Sequence, residues 1–160
     1  MNIRSATERD WPQVWEFLRV IAKEGETYCW DRDLAEEKAY AWWWRPLPVR
    51  TVVAVDGDTV LGTAVSYPNQ SGPGAHVASA SFLVDPAFRG VGRALGNHVV
   101  DQARADGFRA MQFNAVVETN TRAVALWESL GFRVLGTVPE AFHSPAAGYV
   151  GLHIMYRSLL

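Results

Sequence analysis

Two arginines and two glycines crowd into the run Arg89-Gly90-Val91-Gly92-Arg93-Ala94. The strand-like Phe82-Leu83-Val84 and the stop signal Asp85-Pro86 precede it, and an apolar-periodic stretch follows. A helix start offers unpaired N–H groups and a partial positive charge. Glycine lets a ligand approach the backbone and tolerates positive φ. With two guanidinium groups added, this is a seat for an anion, phosphate above all. The spacing narrows the class. No G-x-x-x-x-G-K-[ST] string occurs, which excludes a nucleotide P-loop. Gly90-Val91-Gly92 begins a dinucleotide fingerprint, but Leu95 stands where its third glycine belongs. What fits is R-x-x-G-x-A, on Arg89, Gly92 and Ala94.

A second constellation lies about thirty residues further on, in NTRAVALWESLGF: Asn120, Ala123, Leu126, Trp127, Gly131 and Phe132. Asn120 suits the N-cap of a helix. With Gly131 at C′, Trp127 falls at C3 and Phe132 at C″, the hydrophobic pair of a Schellman end.

The two motifs, in this order, resemble those of the GNAT-type N-acetyltransferase superfamily, and the resemblance covers nearly the whole chain. It implies a mixed α/β fold: a mostly antiparallel central sheet with one splayed parallel pair of strands and about four helices. It also implies acetyl-CoA as donor substrate. Backbone groups of Phe82, Leu83 and Val84 would pair with the pantetheine amides, and a strand N–H near Leu83 would polarise the thioester. Arg89 and the amides of Gly90, Val91, Gly92, Arg93 and Ala94 would hold the pyrophosphate. Asn120 would touch the pantetheine arm, cap its helix, or do both. The tail GTVPEAF…YVGLHIMYRSL resembles a branch acting on small amino acids and proline-like imino acids, in which Asn114 would meet acceptor and cofactor.

The sequence departs from the family in two places. A tyrosine usually stands where Trp127 does, and there it protonates the departing thiolate. An indole N–H donates a hydrogen bond but is no acid near neutral pH, so Trp127 could only orient sulfur or pack. The family's glutamate on the strand before the turn is also missing from AHVASASFLVD, which offers His76, Ser79 and Ser81. Replacement bases are Glu26, Glu118 and His143, with Glu26 and Tyr28 in a loop that lines the acceptor site in the family. Weak base equipment favours an acceptor that needs little help. An α-amine of pKa about 8 is roughly one-fifth neutral at pH 7.4, while a lysine side chain is neutral at about one part in a thousand.

These residues need elements to hold them. Strands are expected over residues 2–6, 51–55, 59–67, 76–84, 109–116, 132–137 and 149–157. Helices are expected from Thr7 or Asp10 to Gly25, over 34–44, over 92–106 and over 119–130. Trp15, Leu18, Val20, Ile21 and Ala22 form the apolar faces of the first helix. Trp42-Trp43-Trp44 cannot all face one core, since each helical step turns about 100°. They would therefore supply a homodimer contact or a lid over an apolar acceptor.

Bulk properties agree with one domain over residues 1–160. A net charge of −2 with pI near 6.1 gives no reason to expect nucleic acid or an acidic membrane surface. The lone cysteine, Cys29, allows no internal disulfide, and no apolar run reaches a membrane span. A cytoplasmic location is expected, with a small-molecule amine as partner and no metal. The resulting expectation is an acetyl-CoA-dependent N-acetyltransferase working by direct attack. The alternatives are a non-catalytic CoA-binding sensor or interaction module, and a longer acyl donor.

Overall fold

Valine-rich stretches on either side of Asp56-Gly57-Asp58 fold back on each other as β2 (Arg50–Asp56) and β3 (Thr59–Pro68), with Gly57 at φ +57° in the turn. The computed structural model describes residues 1–160 and extends this hairpin into a seven-stranded sheet. β1 (Asn2–Ser5) joins one side. β4 (Val77–Val84), β5 (Ala110–Val117), β7 (Gly148–Ser158) and β6 (Arg133–Ser144) follow on the other, giving the order β1-β2-β3-β4-β5-β7-β6. All pairs are antiparallel except β4–β5, as a helical crossover requires.

That parallel pair is brief. Val77 lies opposite Ala110 and Ala78 opposite Met111, and there the ladder ends. From Ser79 onward the two strands diverge, leaving a gap in the middle of the sheet.

Helices cover both faces. α3 (Val91–Ala105) and α4 (Thr121–Ser129) bury Leu95, Val99, Met111, Trp127 and Met155 on one side. α1 (Trp11–Glu24) and α2 (Glu36–Trp43) bury Val14, Leu18, Trp43, Val65 and Leu83 on the other. A sheet packed on both faces needs near-continuous apolar strands, which β2 and β3 supply. None of the helices is long and apolar enough to cross a membrane.

Three expectations need correction. The buried face of α1 is Trp11, Val14, Phe17, Leu18 and Ala22, whereas Val20 is exposed. α2 starts at Glu36 rather than Leu34, because Ala35 is extended and Glu36 and Glu37 take the first turn. β6 runs on to Ser144 instead of stopping at Thr137. A bulge between Val138 and Phe142 absorbs Pro139 and places Glu140 at φ +52°, and an edge strand tolerates both. Of the three tryptophans, Trp43 is fully buried, Trp42 half-buried and Trp44 exposed.

Candidate active site

The phase of the β3–β4 ladder decides what faces the gap. The Asp85 N–H donates to the Leu61 carbonyl, and Thr63 lies opposite Leu83. Strand alternation then turns Leu83 toward β3, and Phe82 and Val84 toward the gap. A Leu83 N–H aimed at a bound carbonyl is therefore not available, and Phe82 presents that N–H instead.

Phe82 is already engaged from an unexpected direction. Its N–H donates to the Tyr28 hydroxyl at 3.0 Å, and the same hydroxyl donates to the Phe82 carbonyl. Tyr28 thus imitates a neighbouring strand with one oxygen atom. Burial holds its phenol well above the ordinary value; the Phe82 bond opposes that shift and nearby Tyr67 adds to it.

At the end of β4 the chain enters α3 through Gly90, at φ +76°. The N–H groups of Arg89, Gly90, Val91, Gly92 and Arg93 find no acceptor in the chain, and neither Arg89 nor Arg93 forms an ion pair. Five successive free donors at a helix N-terminus, flanked by two unpaired cations, suit a diphosphate. Ala94 differs, since its N–H already bonds to the Gly90 carbonyl at 3.3 Å.

Asn120 caps α4, accepting the Ala123 N–H at 3.3 Å. The opposite end closes as a Schellman turn: the Phe132 N–H reaches the Trp127 carbonyl and the Gly131 N–H reaches Glu128, both at 3.0 Å. Trp127 does more than close the helix. Its ring lies 4.6 Å from Phe82 on β4 and 4.9 Å from Phe113 on β5, spanning the gap from the α4 side.

The other face of the gap is polar. A bulge between Phe113 and Val116 leaves Asn114 without a partner on β7. Its amide exchanges hydrogen bonds with Asn69 at 2.6 and 3.2 Å and accepts from Gln112 at 3.0 Å. Glu26 is bound elsewhere, accepting from the Ser144 hydroxyl at 2.6 Å and the Ala146 N–H at 2.9 Å, which ties the α1–α2 loop to the β6–β7 hairpin. Glu118 accepts from the Gly151 N–H at 2.5 Å. His143 stacks on Tyr149 in the same hairpin, and His76 is exposed ahead of β4. Cys29 is exposed, and partial desolvation raises its thiol, the opposite of an activated nucleophile.

Tyr67, Asn69, Gln112 and Arg45 also stand at this face. They come from four separate segments with no motif spacing among them, so no pattern in the chain announces them. Two surface hollows of about 600 and 590 Å³ lie away from the gap, one along α1 and one around Arg4 and Asp10.

Known proteins share this chain's sequence pattern and fold. Residues 11–132 match the model of the Acetyltransferase (GNAT) family. The N-acetyltransferase aca1 of Schizosaccharomyces pombe is 34% identical over 113 residues, covering 68% of this chain and 54% of its own. The chain thus spans about half the length of that curated relative. A GCN5-related N-acetyltransferase from Kribbella flavida superposes with a TM-score of 0.95 at 59% identity, over 98% of this chain and 96% of that one. The protein yncA of Salmonella typhimurium, solved with its cofactor acetyl-CoA, gives 0.89 at 25% identity, over 100% and 94%.

Proposed function

The chain belongs to the acetyltransferase (GNAT) family, and from that premise we propose that it moves an acetyl group from acetyl-CoA to a small-molecule amine by direct attack. One observation carries the reading: a gap-facing strand edge leads straight into five unsatisfied N–H groups. A diphosphate-headed chain laid along that path meets the free donors of residues 89–93 at one end. Its other end meets the backbone of Phe82 and Val84. Acetyl-CoA, when bound, supplies an electrophilic thioester carbonyl and a thiol leaving group.

The chain's own groups then have definite tasks. The Phe82 N–H, released by Tyr28, stabilises the oxygen on which charge develops. The Trp127 indole N–H has no acceptor in the chain and is not sealed from solvent, so it is free to orient sulfur. Asn114 and Asn69 position the acceptor. No nucleophile is activated near Phe82, which supports direct transfer, with juxtaposition of the two substrates supplying much of the rate.

Glu26 and Glu118 both spend their carboxylates on backbone or hydroxyl partners. That supports an acceptor nitrogen of low basicity, such as the α-amine of a small amino acid or proline-like imino acid, over a protein lysine. We further place the chain in the cytoplasm as one domain, with exposed Trp44 and Leu47 beyond α2 as the contact for a second copy.

Free-thiol release from acetyl-CoA across a panel of amines tests the proposal. Release that depends on an added amine supports it. Acetyl-CoA binding without release by any amine would make the protein a sensor, and faster release from longer acyl-CoAs would change the donor.

A further inference from the structure

Arg45 follows α2 and, like Arg89 and Arg93, forms no ion pair. Arg4, Arg19, Arg50 and Arg104 each have a carboxylate partner within the chain, and Arg45 has none. Its Nε donates to the Trp42 carbonyl at 2.8 Å, and its guanidinium carbon lies 5.1 Å from the Tyr67 ring centroid. Its Nη2 is sealed from solvent with no hydrogen-bond partner, and no other buried side-chain nitrogen or oxygen of the chain is left this way. Buried donors are almost always satisfied, so an orphan guanidinium nitrogen points to a missing acceptor.

Contacts on both sides of Arg45 lead to the Phe82 N–H. On one side Trp42 packs 5.0 Å from Trp30, which stacks 4.5 Å from Tyr28, and Tyr28 holds the Phe82 backbone. On the other side the Tyr67 hydroxyl lies 3.5 Å from that of Ser81, the chain neighbour of Phe82. Arg45 therefore sits in the aromatic wall of the acceptor side. It lies on the opposite face of the sheet from α3, whose first turn carries the anion seat.

We propose that Arg45 receives a carboxylate borne by the acceptor amine, and so selects amino-acid-type acceptors. With Nε bound to Trp42, Nη1 is the end of the guanidinium fork not sealed from solvent, and a carboxylate arriving there and uncovering Nη2 would engage the Nη1–Nη2 edge with its two oxygens. The proposal rests on the acetyl-transfer reading above and adds the residue that sets specificity.

The test pairs a panel of α-amino acids, proline included, with their carboxamides, using wild type, Arg45→Met and Arg45→Lys. Wild type should favour the acids. Arg45→Met should raise KM for the acids by at least about tenfold, with KM for acetyl-CoA and rates on the carboxamides unchanged. Arg45→Lys should recover part of the loss. Equal losses on acids and carboxamides, no wild-type preference, or weakened acetyl-CoA binding would overturn the assignment. If no amine is acetylated at all, the parent reading fails, and Arg45 is then judged by melting shifts alone. Amino acids that stabilise wild type but not Arg45→Met would support its role, and equal or absent shifts would refute it.

Discussion

A Cβ at Gly92 would meet Leu126 Cδ2 at 3.3 Å and Val84 Cγ2 at 3.9 Å, contacts that a flexible leucine end relaxes. Aspartate there suits the first turn of a helix but sets a negative charge among the free donors. Gly92→Asp should leave the melting temperature near wild type and weaken acetyl-CoA at least about tenfold, the worth of one lost charge-assisted hydrogen bond. Equilibrium titration reads this directly. Tyr28→Phe acts in the opposite sense. It orphans the Phe82 N–H and C=O, so the ligand-free protein should lose about 1–3 kcal/mol. Acetyl-CoA should then raise its melting temperature more than it raises that of wild type, because the ligand restores what the hydroxyl supplied. A smaller rise would mean that Tyr28 assists binding. The turn of free N–H groups before α3 was legible in the sequence because its residues are contiguous and their spacing excludes the rival motifs. Tyr28 stands 54 positions from Phe82, and only its place in the loop GETYCWDRD hinted at a role. Arg45 left no trace at all, since an unpaired nitrogen is a property of packing.

Helix ends and strand limits followed local chemistry wherever that chemistry was local. Gly131, Asn120 and Gly25 stop or start their helices as their types dictate. β6 was misread because a proline argues against a strand unless a bulge removes it from the ladder, and the bulge is set by β7. At the entry to α1, Asp10 joins two elements. Its carboxylate accepts two hydrogen bonds from Arg4 of β1 at 2.8 Å and one from the Thr7 N–H at 2.7 Å. These bonds, Arg4's first, hold its pKa below the ordinary carboxylate value against the pull of desolvation. A depressed folded pKa stabilises above about pH 4 and loses its effect as pH falls through the folded value. Asp10→Asn should therefore cost about 1–2 kcal/mol at neutral pH, a figure discounted for the partly exposed Arg4. Denaturant titrations should show the two proteins converging in acid. Where α3 crosses α4, a Cβ on Gly96 would come within 2.6 Å of Leu130 Cδ1 and 3.2 Å of the Trp127 ring. Gly96→Val should destabilise by about 1–3 kcal/mol and disturb the ring that spans the gap, which a fall in melting temperature would show.

At the scale of the molecule, the proposed donor would join the architecture. A ligand at one hundred times its Kd adds about 2.7 kcal/mol to stability, which for a chain of this size raises the melting temperature by about 5–10 °C. Acetyl-CoA should do this for wild type and not for Gly92→Asp. The succession of elements along the chain was readable from β and α signals, but the place of β7 between β5 and β6 in the sheet was not. The one parallel pair was readable from its crossover helix. How soon that pair parts company was not, because it depends on Trp127, Phe82 and Phe113 meeting across the break. Two rungs join β1–β4 to β5–β7 before the ladder stops. The sheet is thus two ribbons stitched along a short seam. Force applied across the outermost strands should tear it there first, and deuterium should enter the gap-facing amide of Val84 before that of Phe82, which Tyr28 holds. A coenzyme lying in the cleft would work as a removable suture, slowing exchange on both lips at once.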